Sequence, residues 1–260
     1  ALAGYRYREK LECFRDAFVL GTQYLFLISA LAMAGATAYL WIERGSVAEE
    51  YRSAITVSGI YTAIAGFMYW QMHTQVGLDG DINSVLELPT YVRYIDWIIT
   101  TPLILLAVAL VLGLPEKRLG LVFVVVVVDL AMITFGYFGE LYSNQEFAQF
   151  QAWTMFGLSC LAFLLLLFVL LSQFADVANE SVKPVQRTFK LMTLFIAVGW
   201  LIYPIGFLFG MSDIDGMKVA REFVYNIADI VNKVGLGLVT FYSAKSITRD
   251  IRIRETMNEL

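Results

Sequence analysis

Seven long apolar segments constrain the fold of this 260-residue chain more than any other feature. They cover residues 16–42, 53–76, 89–113, 119–141, 148–173, 188–211 and 222–246. Each segment is long enough to form a membrane-spanning helix, which needs roughly 20 mostly apolar residues. Charged residues make up 16% of the chain, whereas soluble domains usually contain about 25%. The sequence therefore predicts an all-α membrane protein, a bundle of seven transmembrane helices in a lipid bilayer.

The connections between the segments are short, so we expect consecutive helices to be antiparallel neighbours. No Ser/Gly linker or low-complexity tract interrupts residues 1–260, which predicts a single domain. The first fifteen residues are polar and charged, so we expect no cleavable signal peptide. A net charge of −4 gives no footprint for nucleic acid. Cys13 and Cys160 lack the spacing of metal ligands, and we expect no metal site.

Basic and acidic connections alternate along the chain, and this predicts the orientation in the membrane. The basic set comprises Arg44, Arg52, Lys117, Arg118, Lys183, Arg187, Lys190 and the C-terminal Lys245, Arg249, Arg252 and Arg254. The acidic set comprises Asp79, Asp81, Glu140, Glu146, Asp213 and Asp215. Because basic connections stay in the cytoplasm, we expect a plasma-membrane protein with its N-terminus outside and its C-terminus inside. Four basic residues near the N-terminus oppose this orientation, namely Arg6, Arg8, Lys10 and Arg15.

Five ionisable residues lie well inside the apolar segments. Arg93 and Asp96 are in the third, Asp129 is in the fourth, and Asp229 and Lys233 are in the seventh. An unpaired charge is strongly unfavourable in lipid, so all five should face the interior of the bundle. One such pair would fit a structural ion pair as well as a functional site. Five groups of compensating charge at similar depth favour a functional site.

The spacing of these residues indicates what they can do. Arg93, Asp96 and Thr100 are three and four residues apart and share one helical face, and Asp229 and Lys233 are four apart. Two carboxylates can therefore flank one amine. A buried lysine suits Schiff-base chemistry with a carbonyl compound, and nearby carboxylates would stabilise the protonated Schiff base.

Three stretches resemble microbial rhodopsins, the seven-helix proteins that carry retinal on a lysine. RYIDWIITTPLILL (Arg93–Leu106), GWLIYPIGF (Gly199–Phe207) and ADIVNKVGLGL (228–238) are similar to their third, sixth and seventh helices. FGYFGE (Phe135–Glu140) is more similar to proteorhodopsins, and TAIAGFMYWQM (Thr62–Met72) to the second helix of bacteriorhodopsin. The resemblance covers essentially the whole chain, and it implies a light-absorbing protein that is not an enzyme.

The resemblance also implies residue roles. Lys233 matches the lysine that binds all-trans retinal, Asp96 the proton acceptor and counterion, and Asp229 the second counterion. Arg93 matches the arginine below the counterions, and Thr100 the threonine bonded to the acceptor. The remaining retinal-binding positions implied are Tyr69, Trp97, Thr101, Met132, Gly136, Ser159, Trp200, Tyr203, Pro204 and Phe207, with Phe156 and Phe163 near the ring. Tryptophans and tyrosines at helical spacing are otherwise usually core or interfacial residues.

Asp129 and Thr101 form a second constellation. The resemblance implies a hydrogen bond between them, near the retinal. Such a bond fits either interhelical packing or a gate, and the sequence leaves both open.

Some positions depart from the pattern of outward proton pumps. Ala107 stands where those pumps usually carry a carboxyl residue as the cytoplasmic proton donor. Asp96, Thr100 and Ala107 therefore form a "DTA" motif, named by their one-letter codes. Met68 stands where many proteorhodopsins carry a histidine, and we expect His73 to be interfacial or solvated. The outer glutamates of bacteriorhodopsin are not cleanly matched, and Glu222 is expected to be a solvated residue at a helix start.

These features favour an outward light-driven proton pump without a carboxylic donor. Inward pumping, sodium pumping and chloride pumping are disfavoured, because Asp96 and Asp229 are both present and Thr100 follows Asp96. A slow-cycling sensory photoreceptor with a separate transducer is the main alternative, and a light-gated cation channel is a weaker one. The resemblance favours a homo-oligomer such as a pentamer.

Overall fold

The computed structural model describes residues 2–114, 118–145 and 147–259 of the chain, with side chains for 12–114, 118–145, 147–253, 256 and 257. Seven long helices, α1 to α7, account for most of these residues. The first four are α1 (Leu2–Glu43), α2 (Glu49–Val76), α3 (Thr90–Leu112) and α4 (Leu119–Ser143). The all-α, seven-helix prediction is confirmed.

Each of the last three helices contains a π-helical turn. The first part of each is Gln149–Val169 in α5, Lys183–Leu194 in α6 and Asp215–Asp229 in α7. The π turns are Leu170–Phe174, Phe195–Gly199 and Ile230–Gly235, and they lead into Ala175–Glu180, Ile202–Gly210 and Leu236–Glu259. Such turns interrupt the regular helical hydrogen bonding and are frequent at functional sites.

In the part of the chain that the structure describes, five helices are long and apolar enough to cross a membrane, namely α1 and α3 to α6. The helices α2 and α7 are less apolar because they contribute many buried polar side chains to the interior. In α7 these include Asn226, Asp229, Asn232 and Lys233. The outer faces of α4 and α5 are apolar, with Phe123 71% and Phe168 66% exposed, as expected of surfaces that face lipid.

The helices extend beyond the predicted apolar segments. α1 begins at Leu2 rather than residue 16, and α7 runs from Asp215 to Glu259 rather than over 222–246. Helical hydrogen bonding continues into the polar flanks, whereas an apolar window detects only the part that contacts lipid. Lys117 and Glu146 lie outside the described residues, and so do the side chains of Arg6, Arg8, Lys10 and Arg254.

Neighbouring helices pack together in chain order, and α1 closes the bundle against α7. The connection between α2 and α3 contains a short helix, Ile82–Leu86, that the sequence did not predict. The side chain of Gln23 on α1 forms hydrogen bonds with this connection. It donates to Asp79 (2.8 Å) and accepts from the backbone N–H of Gly80 (2.8 Å).

Asp79 is an exposed carboxylate in this connection. The backbone N–H of Asp81 and the amide of Gln23 donate to it and hold its pKa below the usual value. Because its folded-state pKa is lowered, the stabilisation it gives is present above its ordinary pKa and is lost as the pH falls through the folded-state value.

Candidate functional site

The π turn Ile230–Gly235 positions Lys233 in the centre of the bundle, where it is 1% exposed. Its Nζ lies 2.5 Å from an Asp96 carboxylate oxygen on α3 and 3.0 Å from an Asp229 carboxylate oxygen on α7. Both carboxylates are fully buried. Lys233 is also the only buried lysine among the side chains that the structure describes. The sequence placed these three residues together, and the structure has the same arrangement.

The two carboxylates have different hydrogen-bond partners. Asp229 accepts from the hydroxyls of Tyr69 (2.9 Å) and Tyr203 (2.5 Å) and from the indole N–H of Trp97 (3.2 Å). Apart from Lys233 Nζ, the only donor to the Asp96 carboxylate among the described residues is the Thr100 hydroxyl, at a long 3.5 Å. This hydroxyl is also 2.8 Å from the Asp96 backbone oxygen. Donors aimed at a carboxylate favour its ionised form. The two carboxylates therefore differ in how many donors favour their ionised form.

Arg93 lies beside this group and connects it to a further cluster. Its guanidinium donates to the Tyr69 hydroxyl (2.9 Å), to Glu222 (2.7 Å) and to the side-chain oxygen of Asn226 (2.9 Å). Through Tyr69 it is one hydrogen bond removed from Asp229. Arg93 thus links the carboxylates around Lys233 to the end of the bundle where α7 begins.

Two glutamates at that end are buried, contrary to expectation. Glu222 was predicted to be a solvated helix-start residue and Glu140 to lie in a connection, yet each is 4% exposed and lies within a helix. Arg221 joins them, at 2.8 Å from Glu140 and 2.8 Å from Glu222, and Tyr94 donates to Glu140 (3.1 Å). The prediction for Glu222 was wrong because α7 begins seven residues earlier than the apolar segment, about two helical turns.

Arg221 should matter to stability because it neutralises two buried carboxylates. Arg221→Ala leaves Glu140 without its cation, and we expect the free energy of unfolding to fall by about 3–5 kcal/mol. The control is Lys245→Ala, which removes a half-exposed ion pair with Glu43 and should lower it by about 0–1 kcal/mol. Denaturant unfolding in detergent, followed by helical circular dichroism, measures both. Equal effects of the two substitutions would contradict a structural role for the buried pairs.

An aromatic cavity adjoins the buried lysine site. Ligand pockets usually have mainly apolar walls with a few polar groups. Eleven of the residues implied by the resemblance line it: Trp97, Thr101, Met132, Gly136, Phe156, Ser159, Phe163, Trp200, Tyr203, Pro204 and Phe207. The lining also includes Tyr94, Ile133, Cys160 and Tyr225, which the sequence did not single out.

Helical spacing could have found two of these four residues. Tyr94 lies three residues before Trp97, and Tyr225 four residues before Asp229, so each shares a face with a predicted site residue. Tyr69, by contrast, is absent from the cavity lining and lies on the carboxylate side. The ring of Tyr203 borders the cavity while its hydroxyl bonds to Asp229, so the cavity and the charged group share a wall.

The second predicted constellation is also assembled. Thr101, which lines the cavity, donates to the fully buried Asp129 at 2.7 Å and joins α3 to α4. Ala107 is fully buried within the apolar core. His73 is partly buried and packs against Trp70, with ring centroids 5.7 Å apart, and is neither fully buried nor exposed.

A seven-helix membrane bundle with a buried lysine between two carboxylates, beside an aromatic cavity, defines the class of microbial rhodopsins. The family described as "Bacteriorhodopsin-like protein" matches residues 20–247 of the chain. The chain belongs to this family and is a light-driven, multi-pass membrane rhodopsin.

Similar sequences and similar solved structures support this assignment. The chain is 33% identical over 218 residues to a green-light absorbing proteorhodopsin of Gamma-proteobacterium EBAC31A08, covering 82% of each chain. Its fold is similar to that of Exiguobacterium sibiricum rhodopsin, with a TM-score of 0.83 and 35% identity over 89% of this chain and 98% of that one. It is also similar to xanthorhodopsin, described as a light-driven ion pump with dual chromophore, with a TM-score of 0.77 and 25% identity over 91% and 95% of the two chains.

The residues present fit the retinal that members of this family carry. The lysine is buried next to a largely apolar cavity, so an elongated apolar group attached to Nζ would lie against Trp97 and Trp200, each 5% exposed. Asp96 and Asp229 supply negative charge at the nitrogen end of such a group.

Proposed function

We propose that the chain is an outward light-driven proton pump that holds all-trans retinal on Lys233. The observation that carries the proposal is the unequal pair of carboxylates at Lys233 Nζ. Asp229 accepts three hydrogen bonds besides its contact with Lys233, whereas Asp96 accepts one long bond. Such a pair keeps one counterion ionised and leaves the other free to accept a proton.

Retinal bound to Lys233 would supply visible-light absorption and a light-induced fall in the proton affinity of Lys233 Nζ. The chain's own residues then move the proton. Asp96 accepts it at the carboxylate oxygen 2.5 Å from Nζ, while Tyr69, Tyr203 and Trp97 keep Asp229 charged. The neutralised Asp96 no longer attracts Arg93. The guanidinium is then held more strongly by Glu222, in the direction in which we expect the proton to leave.

Refilling Lys233 Nζ requires a proton from the opposite side of the bundle. In the proposed mechanism no carboxyl supplies it, because the donor position is Ala107, which is buried among apolar residues and cannot store a proton. Asp96, Thr100 and Ala107 form the "DTA" set of a pump that takes its proton from bulk water. This step should therefore be slow at neutral and alkaline pH.

Introducing a carboxyl at the donor position should speed up this step. With Ala107, the time for which Lys233 Nζ stays without its proton should lengthen about tenfold for each unit rise in pH, since a bulk proton is required and its concentration falls tenfold. In Ala107→Asp or Ala107→Glu the recovery should be faster and nearly independent of pH, provided water reaches the carboxyl. Flash photolysis across a pH series measures both. A fast, pH-independent recovery in the unmodified protein would contradict the donorless mechanism.

A sensory photoreceptor is the second candidate function. The observation that favours it is the same Ala107, because a slow recovery gives a separate transducer time to respond to the light-activated state. A light-gated cation channel is a weaker candidate, carried by the Thr101–Asp129 hydrogen bond between α3 and α4.

The proposed orientation has the N-terminus outside and the C-terminus in the cytoplasm. The described basic residues Arg44, Arg118 and Lys183 lie at one end of the bundle, and Asp79 and Asp213 lie at the other. Basic connections on the cytoplasmic side follow the positive-inside rule. In this orientation the Glu222 end is external. We further propose a homo-oligomer, such as a pentamer.

Recording the pH of the medium tests the proposal. Cells or proteoliposomes that contain the retinal-loaded protein are illuminated with and without a protonophore. An outward pump acidifies the medium of intact cells, and the protonophore abolishes the change. A pigment that responds to light without any change in pH would support the sensory alternative.

A further inference from the structure

A cleft lies between α5 and α6 at the end of the bundle that carries Arg118 and Lys183. Apolar walls are formed by residues such as Leu171 and Ala197, but Asn179, Gln186 and Lys190 add polar groups at its outer part. The mechanism described above assigns this cleft no role.

The cleft contains a buried hydroxyl without a partner. Thr193 lines it and is 4% exposed, and its Oγ1 has no hydrogen-bond partner among the described residues. A buried polar group left unpaired is unfavourable, and natural proteins usually satisfy it with an ordered water. Thr188 on the same helix is equally buried, at 2% exposed, but its hydroxyl donates to the Pro184 backbone oxygen (3.0 Å). Thr193 is therefore an exception on α6.

A second unpaired atom, Oδ1 of Asn232 on α7, lies next to the last residue of the α6 π turn Phe195–Gly199. Asn232 precedes Lys233, and its amide donates to the backbone oxygen of Gly199, the last residue of the turn Phe195–Gly199 (3.0 Å). Its Oδ1 has no partner among the described residues. A Cβ at position 199 would collide with this oxygen, so Gly199 permits the close approach.

One unpaired atom belongs to Thr193 on α6, and the other, Asn232 Oδ1, lies beside Gly199 on the same helix. Thr193 and Gly199 are six residues apart, which corresponds to about 9 Å along a helix. The π turn between them packs against the π turn that carries Lys233. Two or three hydrogen-bonded waters could span this distance, using backbone oxygens of the interrupted helix as further partners.

We infer that protons reach Lys233 through water in this cleft, from Thr193 along the π turn of α6 to Asn232. This inference rests on the proposed pump function and names its uptake route. The route follows α6 and α7 rather than the face of α3 that carries Ala107. Thr193 and Asn232 are positioning residues that hold water in line and do not exchange the proton themselves.

Thiol labelling tests whether water enters the cleft. Thr193→Cys and the control Thr188→Cys are placed in nanodiscs, with and without retinal, and treated with a negatively charged methanethiosulfonate. Mass spectrometry of the peptide reports modification at each position. We expect labelling at 193 at least about tenfold faster than at 188. Equal rates, or no reaction at 193 because a lipid chain fills the cleft, would overturn the proposal.

Kinetics test whether that water serves Lys233. We expect Thr193→Val to slow the recovery of the Lys233 proton by about fivefold, the effect of losing one hydrogen-bonding group. The control Thr188→Val should recover at the unmodified rate. Unchanged recovery in Thr193→Val, with pigment formation and light-driven acidification intact, would overturn the route and leave the pump proposal standing. Absence of acidification in the unmodified protein would instead refute the pump proposal, and the labelling result would still decide whether water enters the cleft.

Discussion

Lys233→Ala is expected to form no visible pigment when all-trans retinal is added. Lys233 is the only buried lysine among the described side chains, and its Nζ lies between two carboxylates beside the aromatic cavity. Without this amine, retinal has no attachment point in the bundle. Absorption spectra of the purified protein, before and after retinal is added, measure the loss.

Two further variants separate attachment from folding. Lys233→Arg keeps a cation between Asp96 and Asp229 but cannot form a Schiff base, so it should fold and remain colourless. Lys245→Ala removes a half-exposed lysine and should form the pigment normally. A borohydride-stable retinal adduct on any lysine other than Lys233 would refute the assignment.

Asp96→Asn is expected to shift the absorption to longer wavelength and to lower the rate of proton transfer by a factor of about 100 or more. The substitution removes a negative charge 2.5 Å from Lys233 Nζ. Loss of that charge destabilises the cationic ground state of the chromophore more than its excited state. It also removes the group that we propose accepts the proton. Absorption spectra and flash photolysis measure the two effects.

Asp229→Asn provides the matched comparison, because it removes the other carboxylate at a similar distance from Nζ. Asp229 holds three donors, Tyr69, Tyr203 and Trp97, which its replacement would leave without an ionised acceptor. We therefore expect a larger loss of pigment stability from Asp229→Asn than from Asp96→Asn. Light-driven proton transfer that persists in Asp96→Asn, with an unchanged absorption maximum, would refute the role of Asp96.

The helices and the central charged group could be predicted because both have simple physical signals. Membrane spans require about 20 apolar residues, and a charge inside such a span must face a partner. Asp96, Asp229 and Lys233 were identified in this way. The motif resemblance then supplied most of the cavity lining, including Trp97 and Trp200, which composition alone would have placed in the core.

The ends of the helices could not be predicted with the same success. The first turns of a helix can be as polar as a loop, so the hydropathy of the sequence does not distinguish them. Glu222 was therefore expected in solvent, although it lies well inside α7. The ion pair of Arg221 with Glu140 depends on a contact between α4 and α7. Residues so far apart in sequence carry no local pattern that would join them.

The three π turns were also invisible in the sequence. No residue in the turn Phe195–Gly199 or Ile230–Gly235 is a proline, and the packing of these two turns against each other has no local sequence pattern. For the same reason neither Thr193 nor Asn232 belonged to a predicted site. Their importance follows from unpaired atoms that only the folded chain reveals.

A photocurrent recorded at zero voltage between identical solutions would show whether this chain pumps protons outward. The retinal-loaded protein is expressed in a voltage-clamped cell, and continuous light is applied. We expect a sustained outward current that Asp96→Asn abolishes. A current that appears only under an applied voltage would indicate a channel, and a pigment that absorbs and recovers without any sustained current would indicate a sensor. Either result would refute outward pumping.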